Sequence, residues 1–209
     1  MNPNKAPQVR PLGVILAGGR ATRMGGGDKG LRLVAGRRLI DHVIDRLHPQ
    51  VAGLAINANG DPARLAEFGL PILPDSIEGH AGPLAGVLAG LDWAAGEGAT
   101  HIVTAAADTP FFPADLLAKL QAAAGPTGLA LAASQDADGR WQRHPTFGLW
   151  PVSLREDLRA ALRAGLRKIV IWTELHQAGR ADFASGAFDP FFNVNTPQDI
   201  ARAEELAGQ

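Results

Sequence analysis

Cysteine is missing from all 209 residues, which excludes disulfides and thiolate metal sites and fits a reducing compartment. Neither sign of charge predominates. Lys plus Arg total 20 against 21 for Asp plus Glu, a formal charge of −1, so no general basic field recruits nucleic acid or a membrane and any anion binding has to be local. No run of about 18 apolar residues occurs, and the opening MNPNKAPQVRP lacks the apolar stretch of a secretion signal, so a soluble cytoplasmic protein is expected. Two catalytic signatures are also missing. The four serines (Ser76, Ser134, Ser153, Ser185) lie in no G-x-S-x-G elbow, and the six histidines show no H-E-x-x-H spacing, which argues against a serine hydrolase and a zinc enzyme. There is no internal repeat, linker or low-complexity tract. The length suits one α/β domain over residues 1–209, with residues 1–10 as a flexible lead-in.

What the chain does have is concentrated in residues 12–30, LGVILAGGRATRMGGGDKG. Leu12, Val14, Ile15 and Leu16 read as a buried strand ending near Ala17, and the strand feeds a loop with six glycines and the cations Arg20, Arg23 and Lys29. Gly18-Gly19 allows the backbone to turn and approach a ligand, so that free N–H groups become anion donors beside three full charges. Charge-assisted hydrogen bonds of this kind contribute about 1.5–3 kcal/mol each. The loop is therefore suited to a polyphosphate. Gly25, Gly27 and Gly30 spell G-x-G-x-x-G, but the match starts eight positions after the strand rather than directly behind it, which argues against a dinucleotide fingerprint. Lys29 is preceded by Asp28 and followed by Gly30, so the Gly-Lys-Ser/Thr of an ATPase phosphate loop is missing too.

Downstream, Leu39, Ile40, Val43, Ile44 and Leu47 predict a helix, and residues 51–57 a second strand. A short helix over 63–68, a short strand over 70–73, a helix over Leu84, Val87, Leu88 and Leu91, and a strand over 101–106 follow. This alternation predicts an α/β fold with a mostly parallel sheet and helices on both faces. In such sheets ligands sit outside the carboxyl ends of the strands, where Asn57, Asp75 and Asp108 fall. Taken singly, each of the three also fits a turn or cap. After Gly128 the reading is a strand at 129–133, a turn at 136–139, extended structure at 141–150 around His144-Pro145, and helices near 154–162 and 169–176. Residues 188–195 read as aromatic and extended, and Thr196-Pro197-Gln198-Asp199 as a helix start.

A triphosphate loop beside a strand-end aspartate suggests a Mg²⁺ site with Asp108 as ligand, since Mg²⁺ takes few carboxylates and shares phosphate oxygens. Lys29 and the metal would then neutralise charge at an α-phosphate while an attacking oxygen displaces pyrophosphate.

These motifs together resemble a known family. LAGGRATRMGGGDKG at 16–30 is similar to the L-A-G-G-x-x-x-R-M-G-G-x-D-K-G signature of the molybdenum cofactor guanylyltransferases, and the likeness continues in order through nearly the whole chain. It includes NAN at 57–59, PDS at 74–76, GPLAG at 82–86, ADTPF at 107–111, HPTFGLW at 144–150 and FNVNTPQD at 192–199. The resemblance implies a three-layer Rossmann-like nucleotidyltransferase fold, with a GTP-binding N-terminal part and a pterin-binding C-terminal part. It implies transfer of GMP from MgGTP to the terminal phosphate of molybdopterin or its molybdenum form, with pyrophosphate released. It assigns GTP contacts to Leu16, Ala17, Gly18, Gly19, Lys29, Asn57, Asp75 and Asp108, with Asp108 on Mg²⁺ and Arg23 joining Lys29 and Asp108 in catalysis. His144, Pro145, Asn193 and Asn195 are placed on the pterin side, although by residue type alone they fit an aromatic core strand and a helix cap equally well. Asn193 and Asn195 stand where related enzymes often carry a second acidic metal ligand. Other assembly proteins of the same cofactor are the partners this implies. The sister enzyme that adds cytidylate carries L-A-A-G and lacks the D-K-G ending, and a binding module without turnover would not need Lys29 and Asp108 together.

Overall fold

The computed structural model describes residues 10–18, 28–77, 79, 82–136, 138–184 and 188–208. Its centre is a seven-stranded sheet of order β5-β4-β1-β6-β8-β7-β9, made of β1 (Leu12–Leu16), β4 (Leu54–Asn57), β5 (Ile72–Leu73), β6 (His101–Ala106), β7 (Ala130–Gln135), β8 (Trp141–Pro151) and β9 (Gly179–Phe183). Strands β5, β4, β1 and β6 are mutually parallel, β8 runs antiparallel to both β6 and β7, and β7 is parallel to β9. Six of the seven strands therefore end at one edge. A separate hairpin pairs β2 (Leu33–Val34) with β3 (Arg37–Arg38) across Ala35-Gly36, both at positive φ, the two-residue turn that matches strand twist.

The sheet buries a different set of side chains on each face, as the strand alternation requires. Helices α1 (Leu39–Leu47) and α3 (Leu116–Ala123) cover one face, over Ile15, Ile56, Val103, Ala105 and Phe147. Helices α2 (Pro83–Gly96), α4 (Arg155–Arg163) and α5 (Ile169–Leu175) cover the other, over Val14, Leu16, Ile102, Leu131 and Trp150. Helix α1 buries Leu39, Ile40, Val43 and Leu47, four of the five residues whose spacing predicted it, and leaves Ile44 half-buried. Each such side chain contributes about 1.5–3 kcal/mol when fully buried. Helix α2 is apolar almost all round because it lies between the sheet and helix α4. A Cβ on its Gly86 would lie 2.1 Å from Asn57 Oδ1, so the glycine is what admits the asparagine beneath the helix. Helix α6 (Pro197–Ala207) closes the chain, capped as expected: Asp199 N donates to Thr196 Oγ1 at 3.2 Å and Thr196 N returns a bond to Asp199 Oδ2 at 2.8 Å.

Several expectations need correction. The second strand begins at Leu54 rather than Val51, because residues 51–53 turn out of a 3₁₀ segment and Val51 N bonds His48 O. The short helix after Asn59 is a 3₁₀ helix, Pro62–Phe68. Residues 188–195 form no strand: Asp189 turns the backbone by accepting Phe191 N, at 2.9 Å, on Oδ1 and Phe192 N on its carbonyl. Helix α3, strand β9 and the β2–β3 hairpin were not anticipated. Among the described residues no helix is long and apolar enough to cross a membrane.

Candidate functional site

The carboxyl edge gathers the polar residues in two groups. On the first side, β1 ends at Leu16, whose carbonyl accepts Ala107 N at 3.1 Å, while Ala17 N donates to Asn57 O at 2.9 Å. The backbone is thereby stitched across β4, β1 and β6 at the point where the glycine-rich loop leaves the sheet. Gly18 is exposed there. Gly19, Arg20, Arg23, Gly25 and Gly27 lie outside the described residues.

The loop returns at Asp28 into a 3₁₀ turn, Lys29–Leu31, and this turn aims Lys29 at the site. The Lys29 ammonium donates to Asp108 Oδ2 at 2.7 Å and to Asn195 Oδ1, with both members of the ion pair largely buried. Asp108 follows β6, and its carbonyl accepts Val194 N at 2.9 Å, which brings residues 193–195 to the strand end. Asn195 N bonds Asp199 Oδ2 at 2.9 Å. Burial opposes ionisation of Asp199, but the Asn195 and Thr196 N–H groups, the Thr196 hydroxyl and the Lys29 charge together hold its carboxyl below the usual range. Asn193 contributes its carbonyl to the Asn195 amide at 3.4 Å.

Asn57, at the end of β4, is buried and donates through Nδ2 to Leu73 O and Asp75 Oδ1, each at 3.0 Å. Asn59 holds the same carboxylate from the other side: its Nδ2 donates to Asp75 Oδ2 at 2.8 Å and its Oδ1 accepts Asp75 N at 2.9 Å. Both Asp75 oxygens are thus fixed in place, and each retains lone pairs for a ligand donor.

On the second side, His144 of β8 stacks on Phe191, with ring centroids 4.2 Å apart. Its Nε2 lies 2.7 Å from Ser134 Oγ at the end of β7, and Ser134 donates to Asp189 Oδ1 at 3.2 Å. Since the carboxylate can only accept, the serine proton goes to Asp189 and His144 donates Nε2–H to the serine. The order of contacts is unlike a hydrolase triad, where the carboxylate holds the histidine. Burial holds the imidazole below its ordinary value, partly offset by the Asp189 charge. Pro145 lies in the stretch of β8 between His144, which opposes Ala132, and Gly148, which opposes Leu131. In that stretch β8 leaves β6, and Phe147 turns onto Phe112 and Phe191. The segment from Asp189 to Asn195 therefore runs from the Ser134–His144 pair to Lys29. Ser134, Asp189, Phe191 and Asn59 all take part in these contacts without having been singled out as site residues from sequence. For Asn59 the NAN motif was a usable signal, whereas Ser134 and Asp189 carried none.

The oxygens of Asp108 and Asn195 converge on a position already held by a cation, the Lys29 ammonium, a donor set that fits a hard divalent ion sharing phosphate oxygens. Among the described residues no three His, Cys, Asp or Glu side chains cluster as a self-sufficient metal site.

A sequence profile of the MobA-like NTP transferase domain matches residues 13–178. The chain is 52% identical over 200 residues to the molybdenum cofactor guanylyltransferase of Bradyrhizobium sp. (strain ORS 278), covering 93% of this chain and 92% of that one. It is 51% identical over 197 residues to the enzyme of the same name from Rhodopseudomonas palustris (strain BisB5), with the same coverage. Among solved structures, the molybdopterin-guanine dinucleotide biosynthesis protein A of Archaeoglobus fulgidus superposes with a TM-score of 0.68 at 24% identity, covering 94% of this chain and 98% of that one. The 4-diphosphocytidyl-2C-methyl-D-erythritol synthase of Anaerococcus prevotii gives 0.71 at 14% identity, with 96% of both chains covered. At these identities the two structures bear on the fold alone.

Proposed function

We propose that this chain, which belongs to the MobA-like NTP transferases and is a nucleotidyltransferase of molybdenum cofactor biosynthesis, transfers GMP from GTP to the terminal phosphate of molybdopterin or its molybdenum form, releasing pyrophosphate. The observation that carries the reading is the convergence of Lys29, Asp108 and Asn195 beside the strand-end pair Asn57 and Asp75. One group suits a polyphosphate and the other a nucleobase. Guanine presents N1–H and a 2-amino group on one edge, two donors that the acceptor-only Asp75 carboxylate can receive, whereas adenine and cytosine each offer a single amino group there.

In this reading the N-terminal part holds GTP, with Leu16, Ala17, Gly18 and Gly19 supplying backbone against the nucleotide and Arg23 assisting at the phosphates. The C-terminal part holds the pterin through His144, Pro145, Asn193 and Asn195. Asp108, with Asn195 beside it, would hold Mg²⁺, which when bound supplies charge neutralisation at the phosphates. Lys29 stabilises the negative charge that accumulates as the acceptor phosphate oxygen attacks the α-phosphorus and the bond to the pyrophosphate oxygen breaks. No base is required, because the acceptor phosphate is already ionised near neutral pH. Reaction takes place in the cytoplasm, where other assembly proteins of the cofactor would supply the pterin and receive the product.

Pyrophosphate release by the purified protein, with Mg²⁺ and molybdopterin and with GTP, CTP or ATP in turn, tests this. Release that needs both GTP and pterin is expected. A preference for CTP would make it the cytidylate-adding enzyme, and GTP binding without release would make it a binding module.

A further inference from the structure

Arg64 connects the two parts of the proposed nucleotide site. It stands in the 3₁₀ helix Pro62–Phe68, and its guanidinium is divided among three acceptors. Nε donates to the Asp28 carboxylate, Nη1 to Asp61 O at 2.6 Å and Nη2 to Asn59 O at 2.7 Å. Gly60 takes φ of +88°, and a Cβ there would sit 3.4 Å from Nη1, so the loop is shaped to receive the guanidinium. Asp28 immediately precedes Lys29, and its carbonyl accepts Leu31 N at 3.2 Å, closing the turn that carries the lysine. An unbroken run of contacts thus leads from Asp75 through Asn59, Arg64 and Asp28 to Lys29, and from there to Asp108 and Asn195.

We infer that Arg64 is a positioning residue that makes correct placement of Lys29 depend on the nucleobase seated at Asp75, so that base identity is read in turnover as well as in binding. This rests on the reading of Asp75 as the base side. The physical basis is that the planar guanidinium fork holds three acceptors at once, whereas a lysine ammonium is a compact point charge that does not reproduce the fork. A donor pair on the base adds to the bonds that Asn57 and Asn59 already make to the Asp75 carboxylate, Asn59 is tightened through its two bonds to Asp75, and Arg64 passes that order to the Asp28–Lys29 turn. A small displacement of Lys29 is enough to matter, since a misplacement of about 1 Å can cost on the order of a hundredfold in rate.

The test compares GTP with inosine triphosphate, which retains N1–H and lacks the 2-amino group, in wild type, Arg64→Lys and Asp28→Asn. Wild type is expected to favour GTP in kcat as well as in KM. In both variants kcat with GTP should fall about tenfold or more, to the level seen with inosine triphosphate, leaving discrimination in KM alone. Asp28→Asn keeps Arg64 and its two carbonyl contacts, and thermal unfolding of each variant verifies folding. If kcat falls equally for the two nucleotides, Arg64 serves only the fold of the loop and the inference is overturned. It is overturned as well if wild type shows no kcat preference. Absence of any GTP turnover in wild type would instead overturn the guanylyl-transfer reading and this inference with it.

Discussion

The two sides of the carboxyl edge are built from different materials. Around β4, β1 and β6 the edge consists of charged and amide side chains at the ends of parallel strands, each tied to the next: Asn57 to Asp75, and Lys29 to Asp108 and Asn195. Around β8 and β7 it consists of rings, with His144 stacked on Phe191, and Phe191 edge-on to Phe147 and Phe183. The difference follows from strand direction. Parallel neighbours end together and present their last polar residues side by side. The antiparallel β8 enters from solvent at this edge, passes through an irregularity between its pairings with Ala132 and Leu131, and only then pairs with β6. The opening so created is filled by the coil of residues 189–195. An edge of the first kind suits a charged, phosphate-bearing ligand, whereas the rings of the second are engaged largely with one another, with Phe147, Phe183 and Phe191 all buried.

The largest expected effect breaks the charged side. Lys29→Ala should reduce kcat at saturating GTP by about a hundredfold to a thousandfold, the range seen when a preorganised charge donor is removed, as measured by pyrophosphate release. Turnover within a few-fold of wild type would show that the lysine does not act on the phosphates. Asp108→Asn keeps the shape but removes the charge, so the Mg²⁺ concentration for half-maximal rate should rise about tenfold or more. An unchanged titration would remove Asp108 from metal binding.

A smaller effect concerns the junction between the sides. Thr104 opposes Gly148 at the last pairing before β8 leaves β6, and its buried hydroxyl accepts Trp150 Nε1 at 2.8 Å and Gly148 N at 3.3 Å. Thr104→Val leaves these donors without a partner and should cost about 1–3 kcal/mol in urea unfolding. A loss below about 0.5 kcal/mol would mean that the strand separation does not depend on this hydroxyl.

The smallest effect is a slope on the aromatic side. Burial lowers the His144 pKa, so near its ordinary value of about 6.5 the unfolded chain binds more protons than the folded one. Stability from this group is complete above that value and is lost as pH falls from it through the lower folded pKa. His144→Gln, whose amide can still donate to Ser134, should flatten the decline of Tm between pH 7.5 and 5.5. An equal decline in both proteins would assign the acid sensitivity elsewhere, with His101, also lowered by burial, as the next group to replace.

The same contrast explains what could be read in the sequence. Most of the charged side was legible because Asn57, Asp75 and Asp108 each sit just past an apolar run, so that periodicity placed them at one edge, whereas Asn195 was placed on the pterin side by the resemblance and only the structure sets it against Lys29. Lys29 was legible from the glycines around it. The aromatic side was not, because its contacts are set by a bulge and a coil: nothing local to Ser134 or Asp189 says that they meet across 55 residues. Strand β9 was hidden for a related reason. Its GRADF holds only two buried side chains, Ala181 and Phe183, too few to show an alternation, and its place at the sheet edge is a tertiary fact. Arg64 illustrates the limit most clearly, since a solitary arginine on a short 3₁₀ helix reads as a surface charge until Asp28 is seen beside it.

The most direct test of guanylyl transfer follows the label rather than the rate. With molybdopterin, Mg²⁺ and the purified protein, GTP labelled at the α-phosphorus should place its label in a pterin dinucleotide, while label at the γ-phosphorus should leave as pyrophosphate. Label from the α-position appearing only as free GMP, or γ-label appearing as inorganic phosphate, would contradict transfer to the pterin and reduce the site to a hydrolytic one.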